Sequence, residues 1–303
     1  KRDLTSISAQ DLGFAIGPRL NAAGRLEDMS VGIRCLMTQD EAEAKQLAGS
    51  LDVLNQTRRH LQQDMVADAE LIVSQFKVGE QTTGLSVYHE SFHQGVVGIV
   101  AGRLREKFHR PAIVFADAGG ASPDELKGSA RSIDGVNIRD VLDSIATRYP
   151  GLLIKFGGHA MAAGLSIKRV HLPRFHKVFD KAVAQVVTED MLSASLLTDG
   201  SLTGDDLNLQ TVELLAGAGP WGSGFAEPLF SGEFALISQR VVGDTHLKLV
   251  VKHGERVIDC IAFSQPVLSG SPANVLMVYK LAVYDYAGSR TLQLMVEYIE
   301  PLP

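Results

Sequence analysis

The chain has 303 residues, of which 45% are hydrophobic and 21% charged, so it is long enough to bury a sizeable core and to form two domains. It contains no uninterrupted apolar run of about 18 residues, which excludes a membrane-spanning helix and predicts a soluble globular protein. A net charge of −6 excludes a surface that is basic throughout, so any contact with nucleic acid must come from local clusters of Lys and Arg.

The two cysteines, Cys35 and Cys260, lie far apart in apolar neighbourhoods. This placement is typical of reduced thiols in the core of a cytoplasmic protein rather than of a disulfide framework. The first residue is Lys1 instead of Met, and no apolar signal segment follows it. We therefore expect the chain to begin within a longer, cytoplasmic protein.

Residues 3–26 mix helix-forming residues with a break at Gly17-Pro18. The spacing of Arg19, Asn21 and Arg25 predicts that they share one helical face. A solvated basic face and a face that contacts a nucleic-acid backbone both fit this pattern. An Arg side chain offers a planar pair of donors to phosphate oxygens, and an Asn side chain can bond to a sugar or phosphate.

A helix-start signature, Thr38-Gln39-Asp40-Glu41, opens a segment that continues to about Phe76 without a Gly-Pro break. A single helix of this length would span on the order of 60 Å, which favours a connector between two parts of the protein. The alternative is a pair of helices that fold back on each other near Gly49.

The segment from 85 to about 188 alternates between strand and helix patterns. Strands are predicted at 85–88, 112–115, 126–131 and 152–156, and helices at 95–107, 137–148 and 172–187. Such alternation predicts a central sheet with helices packed on it.

Two motifs in this segment carry candidate binding residues. Ser129 and Arg131 lie two residues apart on a predicted strand, so they share a face, and a hydroxyl beside a guanidinium suits a phosphate. In the run from 156 to 164, Gly157 and Gly158 allow a ligand to approach the backbone, and His159 follows them. A Gly-Gly-His triplet by itself is more often a turn with a structural histidine.

A linker-like stretch precedes a domain boundary that we place near residue 200. Strands follow at 234–242, 246–252, 257–263, 275–284 and 291–299, and five short strands in this space predict a small barrel of OB type. Such barrels present aromatic and basic side chains to single-stranded nucleic acid. The alternation does not show which face is inward. The candidates are Lys248, Phe263, Tyr284, Tyr286 and Arg290.

Four motifs in the same order resemble the RecJ family of single-strand-specific 5′→3′ DNA exonucleases in the DHH superfamily. The resemblance covers nearly the whole chain. It implies a connector region at 1–80, a mixed α/β DHH-associated domain at 81–200 and an OB-type barrel at 201–303. The motifs lie at 16–26, 92–104, 127–132 and 156–164.

The resemblance implies an enzyme of DNA repair and recombination that hydrolyses phosphodiesters by a water activated by Mn²⁺ or Mg²⁺. Its metal ligands belong to a DHH motif, and no Asp-His-His occurs in this chain. We therefore expect the chain alone to bind no metal and to be inactive. The residues His89, Glu90 and His93 come nearest to a metal spacing, but a cluster at a strand end is the better interpretation.

The family pattern also implies roles for the residues that match it. Ser129 and Arg131 would hold the 5′-terminal phosphate, and His159, as the catalytic candidate, would lie with Gly157 and Gly158 against the scissile phosphate. The implied partners are single-stranded DNA, the DHH domain and a single-strand-binding protein. Further contacts to the DNA backbone would come from Arg19, Asn21 and Arg25.

One departure from the family pattern follows the Pro-Trp-Gly element. Gly224 precedes Phe225, where the pattern often has Asn, so any role of that Asn is lost. Two other functions remain open. One is a single-strand-binding module with no nuclease role, for which adding the absent DHH domain would restore no activity. The other is a small-nucleotide phosphodiesterase of the DHH superfamily, although a dinucleotide needs no barrel.

Overall fold

The computed structural model describes residues 11–75, 82–120, 122–222, 224–243, 246–263, 265–270, 272–286 and 289–302. The chain divides into two compact units, Lys1–Ala194 and Ser195–Pro303. None of the helices in the described ranges combines the length and the apolar character that crossing a membrane requires.

The first unit starts with helices. A π-helical turn at Leu12–Ile16 leads into α1 (Gly17–Leu26), which is followed by α2 (Ser30–Met37) and the 35-residue α3 (Glu41–Gln75). Gly49 lies inside α3, so the predicted single long helix is confirmed and the helical hairpin is wrong. The Asp40 carboxylate accepts hydrogen bonds from the backbone N–H groups of Ala42 and Glu43, which satisfies two donors at the helix start.

The C-terminal half of α3 is packed against the domain that follows. Met65, Ala69 and Val73 are buried in one apolar cluster with residues of the first strands and of helix α4 (Val97–Phe108). The helices α1 and α2 also contact α3. The long helix is therefore a docked element of the first unit along part of its length.

A five-stranded sheet forms the centre of the first unit within the described residues. Its order is β1-β2-β3-β5-β4, with β1 and β2 parallel and the other pairs antiparallel. Further helices are α5 (Ile138–Arg148), α6 (Leu172–Ala184) and α7 (Glu189–Leu192). The strands are β1 (Leu85–Tyr88), β2 (Ala112–Asp117), β3 (Glu125–Arg131), β4 (Lys155–Gly158) and β5 (Ala162–Lys168).

The two faces of the sheet are covered by different helices. Ile113 and Phe115 of β2 join the cluster that contains the buried side chains of α5 and α6. Ala112 and Val114 of the same strand join the cluster with α3 and α4. Helix α4 contacts β2 and β3. The neighbouring strands β5 and β4 carry exposed glycines, so α4 borders an open part of the sheet.

Two features of the sheet differ from the sequence expectation. The strand predicted at 152–156 is instead Lys155–Gly158, and Leu152 is buried in the core before it begins. Strand β5 was not predicted, because its Ala-Ala-Gly start has low strand propensity. The predicted start of α5 is confirmed: the Asn137 side chain accepts hydrogen bonds from two backbone N–H groups of its first turn.

The second unit is a closed barrel preceded by helix α8 (Leu209–Ala218). The strand order is β10-β8-β7-β6-β9, with β8 and β10 parallel and the other neighbours antiparallel. All five predicted strands and their closure into a barrel are confirmed. The strands are β6 (Phe230–Val242), β7 (His246–His253), β8 (Arg256–Ala262), β9 (Asn274–Tyr286) and β10 (Ser289–Pro301).

The barrel encloses an apolar core. Alternate residues of β7, including Leu247, Leu249 and Val251, are buried, and the residues between them face outward. Cys260 is buried in this core, whereas Cys35 in α2 is only partly buried, and both are free thiols. The expectation of a core thiol therefore holds for Cys260 and is wrong for Cys35.

Candidate nucleic-acid interface

Three rows of paired residues cross strands β3, β5 and β4 on the face that α4 partly covers. In the first two rows, strand pairing aligns one residue from each of the three strands. In the third row, His159 lies just beyond the end of β4, and its N–H donates to the Ala162 carbonyl of β5. Residues directly opposite each other in neighbouring strands share a face of the sheet. The rows are Lys127, Ser166 and Lys155; Ser129, Gly164 and Gly157; and Arg131, Ala162 and His159.

The middle strand of these rows carries only small residues, while the outer strands carry cationic or polar side chains at every position except Gly157. Two strand spacings separate β3 from β4, so the strip between their side chains is about 10 Å wide. Gly164 and Gly157 are exposed on its floor. We call this surface, lined by the three rows, the cationic strip.

Sequence reasoning missed two lysines of the cationic strip. Lys127 precedes Ser129 by two residues and Lys155 precedes Gly157 by two, so strand alternation alone places each on the same face as its neighbour. The Lys127 ammonium donates to the Gln94 side chain at 3.2 Å. Strand alternation in the sequence was sufficient to place Lys127. It was not sufficient for Lys155, because the predicted strand ended at residue 156 and so excluded Gly157.

Ser129 and Arg131 lie on one face of β3, as their spacing predicted, and the structure places them beside the N-terminus of α4. The Arg131 Nη1 donates to the Ser129 hydroxyl at 3.1 Å and to the Ala130 carbonyl at 2.8 Å. A β-carbon added at Gly98 would lie 2.9 Å from Arg131 Nη2 and 3.0 Å from Ser129 Oγ. Glycine at 98 therefore lets the positive end of the helix approach both polar groups, an arrangement that favours an anion.

The electrostatic surroundings of Arg131 also favour an anion. Burial lowers its pKa most, and the nearby positive charges of Arg25 and Arg105 lower it further. Among the described residues, the hydrogen bonds of Arg131 go only to neutral oxygens. The Nε of Arg105 is buried and has no hydrogen-bond partner among the described residues. The Nη2 of the same side chain pairs with Glu106 at 3.2 Å. A half-buried guanidinium among other cations gains most from a negatively charged ligand.

Arg25 is held in place by the loop before α4. Its Nη1 donates to the Gly95 carbonyl at 3.1 Å, and a β-carbon at Gly95 would lie only 2.1 Å from the Arg25 carbonyl oxygen. The two backbones thus approach each other in a way that only glycine permits. The sequence did not indicate this contact, since 70 residues separate its two partners.

The expectation that Arg19, Asn21 and Arg25 share one helical face is wrong. The Arg19 guanidinium turns to α3 and forms an ion pair with Asp52 at 2.8 Å. Asn21 and Arg25 are one turn apart on α1, so these two do share a face, and both are exposed. A residue two positions away in a helix lies on almost the opposite side, which separates Arg19 from Asn21.

The Gly-Gly-His segment forms the end of β4 and the turn into β5. The turn is anchored by backbone hydrogen bonds from Ser132 to Met161 and from Ile138 to Ala160, in addition to the bond from His159. His159 is exposed, and it is separated from Arg131 by the strand that contains Ala162. His159 is therefore near the Ser129 and Arg131 pair without forming part of the same cluster.

In the second unit, three of the barrel candidates form two ring contacts that involve residues of β7. The Lys248 ammonium lies 5.7 Å from the centre of the Tyr284 ring, which is 38% exposed, and it also pairs with Asp259 at 3.2 Å. Phe263 is 54% exposed and meets the His246 ring edge-on at 5.0 Å. A Lys beside a partly exposed Tyr, and an exposed Phe beside a His, are each suitable for a stacked base.

A fourth barrel candidate, Arg290, is already engaged in an ion pair. Arg290 pairs with Glu213 of α8 at 2.9 Å, so its charge is already matched. The side chain of Tyr286 lies outside the described part of the structure.

No group of three or more His, Cys, Asp or Glu side chains within the described residues is placed to hold a metal ion. His89 bonds to the Ser91 hydroxyl, and the His93 ring accepts from the Gly95 N–H. The described residues therefore form no metal centre, and the polar groups around Ser129 and Arg131 are hydroxyl, guanidinium and ammonium groups rather than carboxylates.

Comparison with known families agrees with this arrangement of domains. Residues 71–185 match the DHHA1 domain, and residues 198–298 match the RecJ OB domain. The chain thus consists of a DHHA1 domain, with helices before it, followed by an OB domain. The matches and the relatives below show that it belongs to the RecJ family.

Individual relatives resemble the chain along nearly its whole length. The single-stranded-DNA-specific exonuclease RecJ of Salmonella typhimurium is 44% identical over 308 residues, which cover 99% of this chain and 53% of that protein. The crystal structure of RecJ from Thermus thermophilus in complex with Mg²⁺ aligns with a TM-score of 0.79 and 26% identity, over 98% of this chain and 44% of that chain. The Mn²⁺ complex of the same protein aligns equally well, with 27% identity, over 98% and 42% of the two chains. The chain therefore spans about half the length of the curated relatives it matches.

Proposed function

We propose that this chain is the substrate-binding part of a single-stranded-DNA-specific 5′→3′ exonuclease, and that it recognises the 5′-terminal phosphate of the strand. The main support is the half-buried Arg131, which contacts Ser129 beside the N-terminus of α4 and has cations rather than carboxylates around it. The similarity to RecJ proteins, named as exonucleases for single-stranded DNA, supplies the class of substrate.

In this proposal each part of the surface has a distinct task. Ser129 and Arg131 bind the terminal phosphate with charge-assisted hydrogen bonds, which sets the polarity because only a strand end carries that group. The exposed backbone at Gly157 and Gly164 allows the strand to lie close to the sheet. His159 lies on the far side of the cationic strip, where it contacts the phosphate at which cleavage occurs.

The hydrolysis itself requires metal ligands, and the described residues supply no group of them. Mg²⁺ and Mn²⁺ are named in the Thermus RecJ structures, and the described residues do not fit a metal site. We infer that a DHH domain outside this chain holds the ions, and that this chain alone is inactive. The whole enzyme would act in DNA repair and recombination in the cytoplasm, and a single-strand-binding protein would be a further partner.

The barrel of the second unit would bind the strand further from its end. Lys248, Phe263 and Tyr284 provide a charge and two exposed rings for this purpose. A barrel of the RecJ OB family argues against a phosphodiesterase for small nucleotides, since a dinucleotide needs no such surface.

The test is binding of end-labelled single-stranded DNA with either a 5′-phosphate or a 5′-hydroxyl. We expect the phosphate to tighten binding by about tenfold, and the Arg131→Ala substitution to remove that gain. Arg148→Ala, at the C-terminal end of α5, serves as the control because it removes the same charge away from the strip.

Equal binding of both ends by the wild type, unchanged by Arg131→Ala, would exclude end recognition. The chain would then be only a non-specific single-strand-binding module. If adding a DHH domain in trans restored no cleavage, the nuclease part of the proposal would fail as well.

A further inference from the structure

A second guanidinium group in the first unit has only neutral hydrogen-bond partners among the described residues. Arg58 lies on α3 and is half-buried. Its Nε and Nη2 donate to the Asn55 side-chain oxygen at 3.3 and 3.2 Å, and its Nη1 donates to the Gln62 side-chain oxygen at 2.9 Å. Asn55 is itself only 4% exposed, so this support is rigid.

These contacts leave a defined set of donors unused. A guanidinium has five N–H groups, and three of the Arg58 donors point at Asn55 and Gln62. Among the described residues, one N–H on Nη1 and one on Nη2 remain, and these two nitrogens form the terminal edge of the group. This edge has the spacing that suits two oxygens of one phosphate.

Arg58 is also surrounded by charges of its own sign. Burial lowers its pKa first, and the nearby charges of Arg59 and Arg25 lower it further. Arg25 has the same effect on Arg131, so it lies within electrostatic reach of both guanidinium groups. Arg25 of α1 therefore adds positive potential both at Arg58 on α3 and at Arg131 in the cationic strip.

We propose that Arg58 binds an internal phosphodiester group of the same strand whose 5′ end lies at Ser129 and Arg131. This inference rests on the proposed function and adds a second phosphate contact to it, at a distance from the strand end. Arg58 binds the diester through its terminal edge, while Asn55 and Gln62 keep that edge oriented. Because an internal diester is present whatever the 5′ end carries, this contact does not distinguish a phosphate from a hydroxyl.

The experiment compares Arg58→Gln with Arg59→Gln on the full chain, using labelled single strands with a 5′-phosphate or a 5′-hydroxyl. Arg59 is the matched control because it carries the same charge one position away, on an exposed side of the same helix. We expect Arg58→Gln to lower the affinity about fivefold to tenfold for both strands and to reduce the salt slope by about 0.7. Arg59→Gln should change the affinity less than about twofold.

Two further measurements keep the test valid if Arg58→Gln affects folding. Asn55→Asp retains Arg58 but places a carboxylate against it, and we expect a similar loss of affinity for both strands. In strands with one neutral methylphosphonate linkage, we expect one internal position to weaken wild-type binding and to have no further effect in Arg58→Gln. Thermal unfolding of each variant checks that the fold is retained.

Several results would overturn the inference. Equal effects of Arg58→Gln and Arg59→Gln would show a general charge effect, and loss of the 5′-phosphate preference in Arg58→Gln would assign Arg58 to the strand end. If the 5′-phosphate gave no gain in any variant, while Arg58→Gln still weakened both strands, end recognition would fail and the internal contact would stand. The two proposals can therefore fail separately.

Discussion

At Gly158 the backbone adopts a φ angle of +151°, which side chains rarely tolerate. A β-carbon at this position would lie 2.4 Å from the Ala162 carbonyl oxygen and 2.5 Å from the Ala163 α-carbon. Its neighbour Gly157 has nothing within 4 Å of an added β-carbon. The two glycines of the Gly-Gly-His segment therefore have different reasons to be glycine: one permits the turn, and the other keeps the floor of the cationic strip open.

We expect Gly158→Ala to destabilise the protein by roughly 1–3 kcal/mol, because it combines backbone strain with a clash against β5. Gly157→Ala should leave the stability unchanged and weaken the binding of single-stranded DNA. Urea denaturation of both variants, followed by a binding titration, checks the pair. Equal stability of the two variants would contradict the account of Gly158.

Arg19 shows why a residue's role depends on its neighbours in space. Its type and spacing suggested a contact to the DNA backbone, but in the structure Asp52 neutralises it. Arg58 is the opposite case, since nothing in its local sequence distinguishes it from Arg59. Only the positions of Asn55 and Gln62 show that its guanidinium is held in place by neutral oxygens, with donors left over among the described residues.

Among the elements, α3 combines two environments along one helix. Its N-terminal half contacts α1 and α2, and its C-terminal half is buried against β1 and α4. Met65 marks the buried side: it is 2% exposed, and its sulfur accepts the His93 N–H at 3.4 Å. Leu71, six residues further along the same helix, is 61% exposed.

We expect Met65→Ala to destabilise the protein by about 2–5 kcal/mol, since it leaves a cavity in the cluster between α3 and the sheet. Leu71→Ala is the control, with a change within about 0.5 kcal/mol, because alanine preserves the helix and the side chain is mostly exposed. Chemical denaturation with both variants measures the difference. Similar values would mean that the helix is not docked on the sheet.

For the whole molecule, a net charge of −6 coexists with a local group of cations, Lys127, Arg131 and Lys155, on one face of the sheet in the first unit. The proposed contacts to DNA are hydroxyl, guanidinium and ammonium groups, and the described residues provide no metal cluster. Strand binding by this chain should therefore depend strongly on salt but not on divalent ions.

We expect removal of divalent ions with a chelator to leave the affinity of this chain for 5′-phosphorylated single strands within about twofold of its original value. Raising the monovalent salt concentration in the same titration serves as the positive control and should weaken binding steeply. A large loss of affinity on chelation, restored by Mn²⁺ or Mg²⁺, would show that an ion bridges the chain and the phosphate.

Local sequence patterns were sufficient for much of the fold. The uninterrupted helical pattern predicted α3, Asn137 predicted the start of α5, and alternation predicted all five barrel strands. The pairing of Ser129 and Arg131 on one face also follows from their spacing alone. These features depend on helix and strand periodicity and on caps, which act over a few residues.

The tertiary structure decided the rest. Strand β5 lies between β3 and β4, and that order turns separate motifs into a cationic strip with a bare centre. The contacts of Arg25 with Gly95 and of Arg19 with Asp52 join residues 70 and 33 positions apart. The sequence specifies which chemical groups are available, but strand order and long-range packing determine which of them come together. Strand order and packing depend in turn on burying the apolar faces of all the elements of the unit at once.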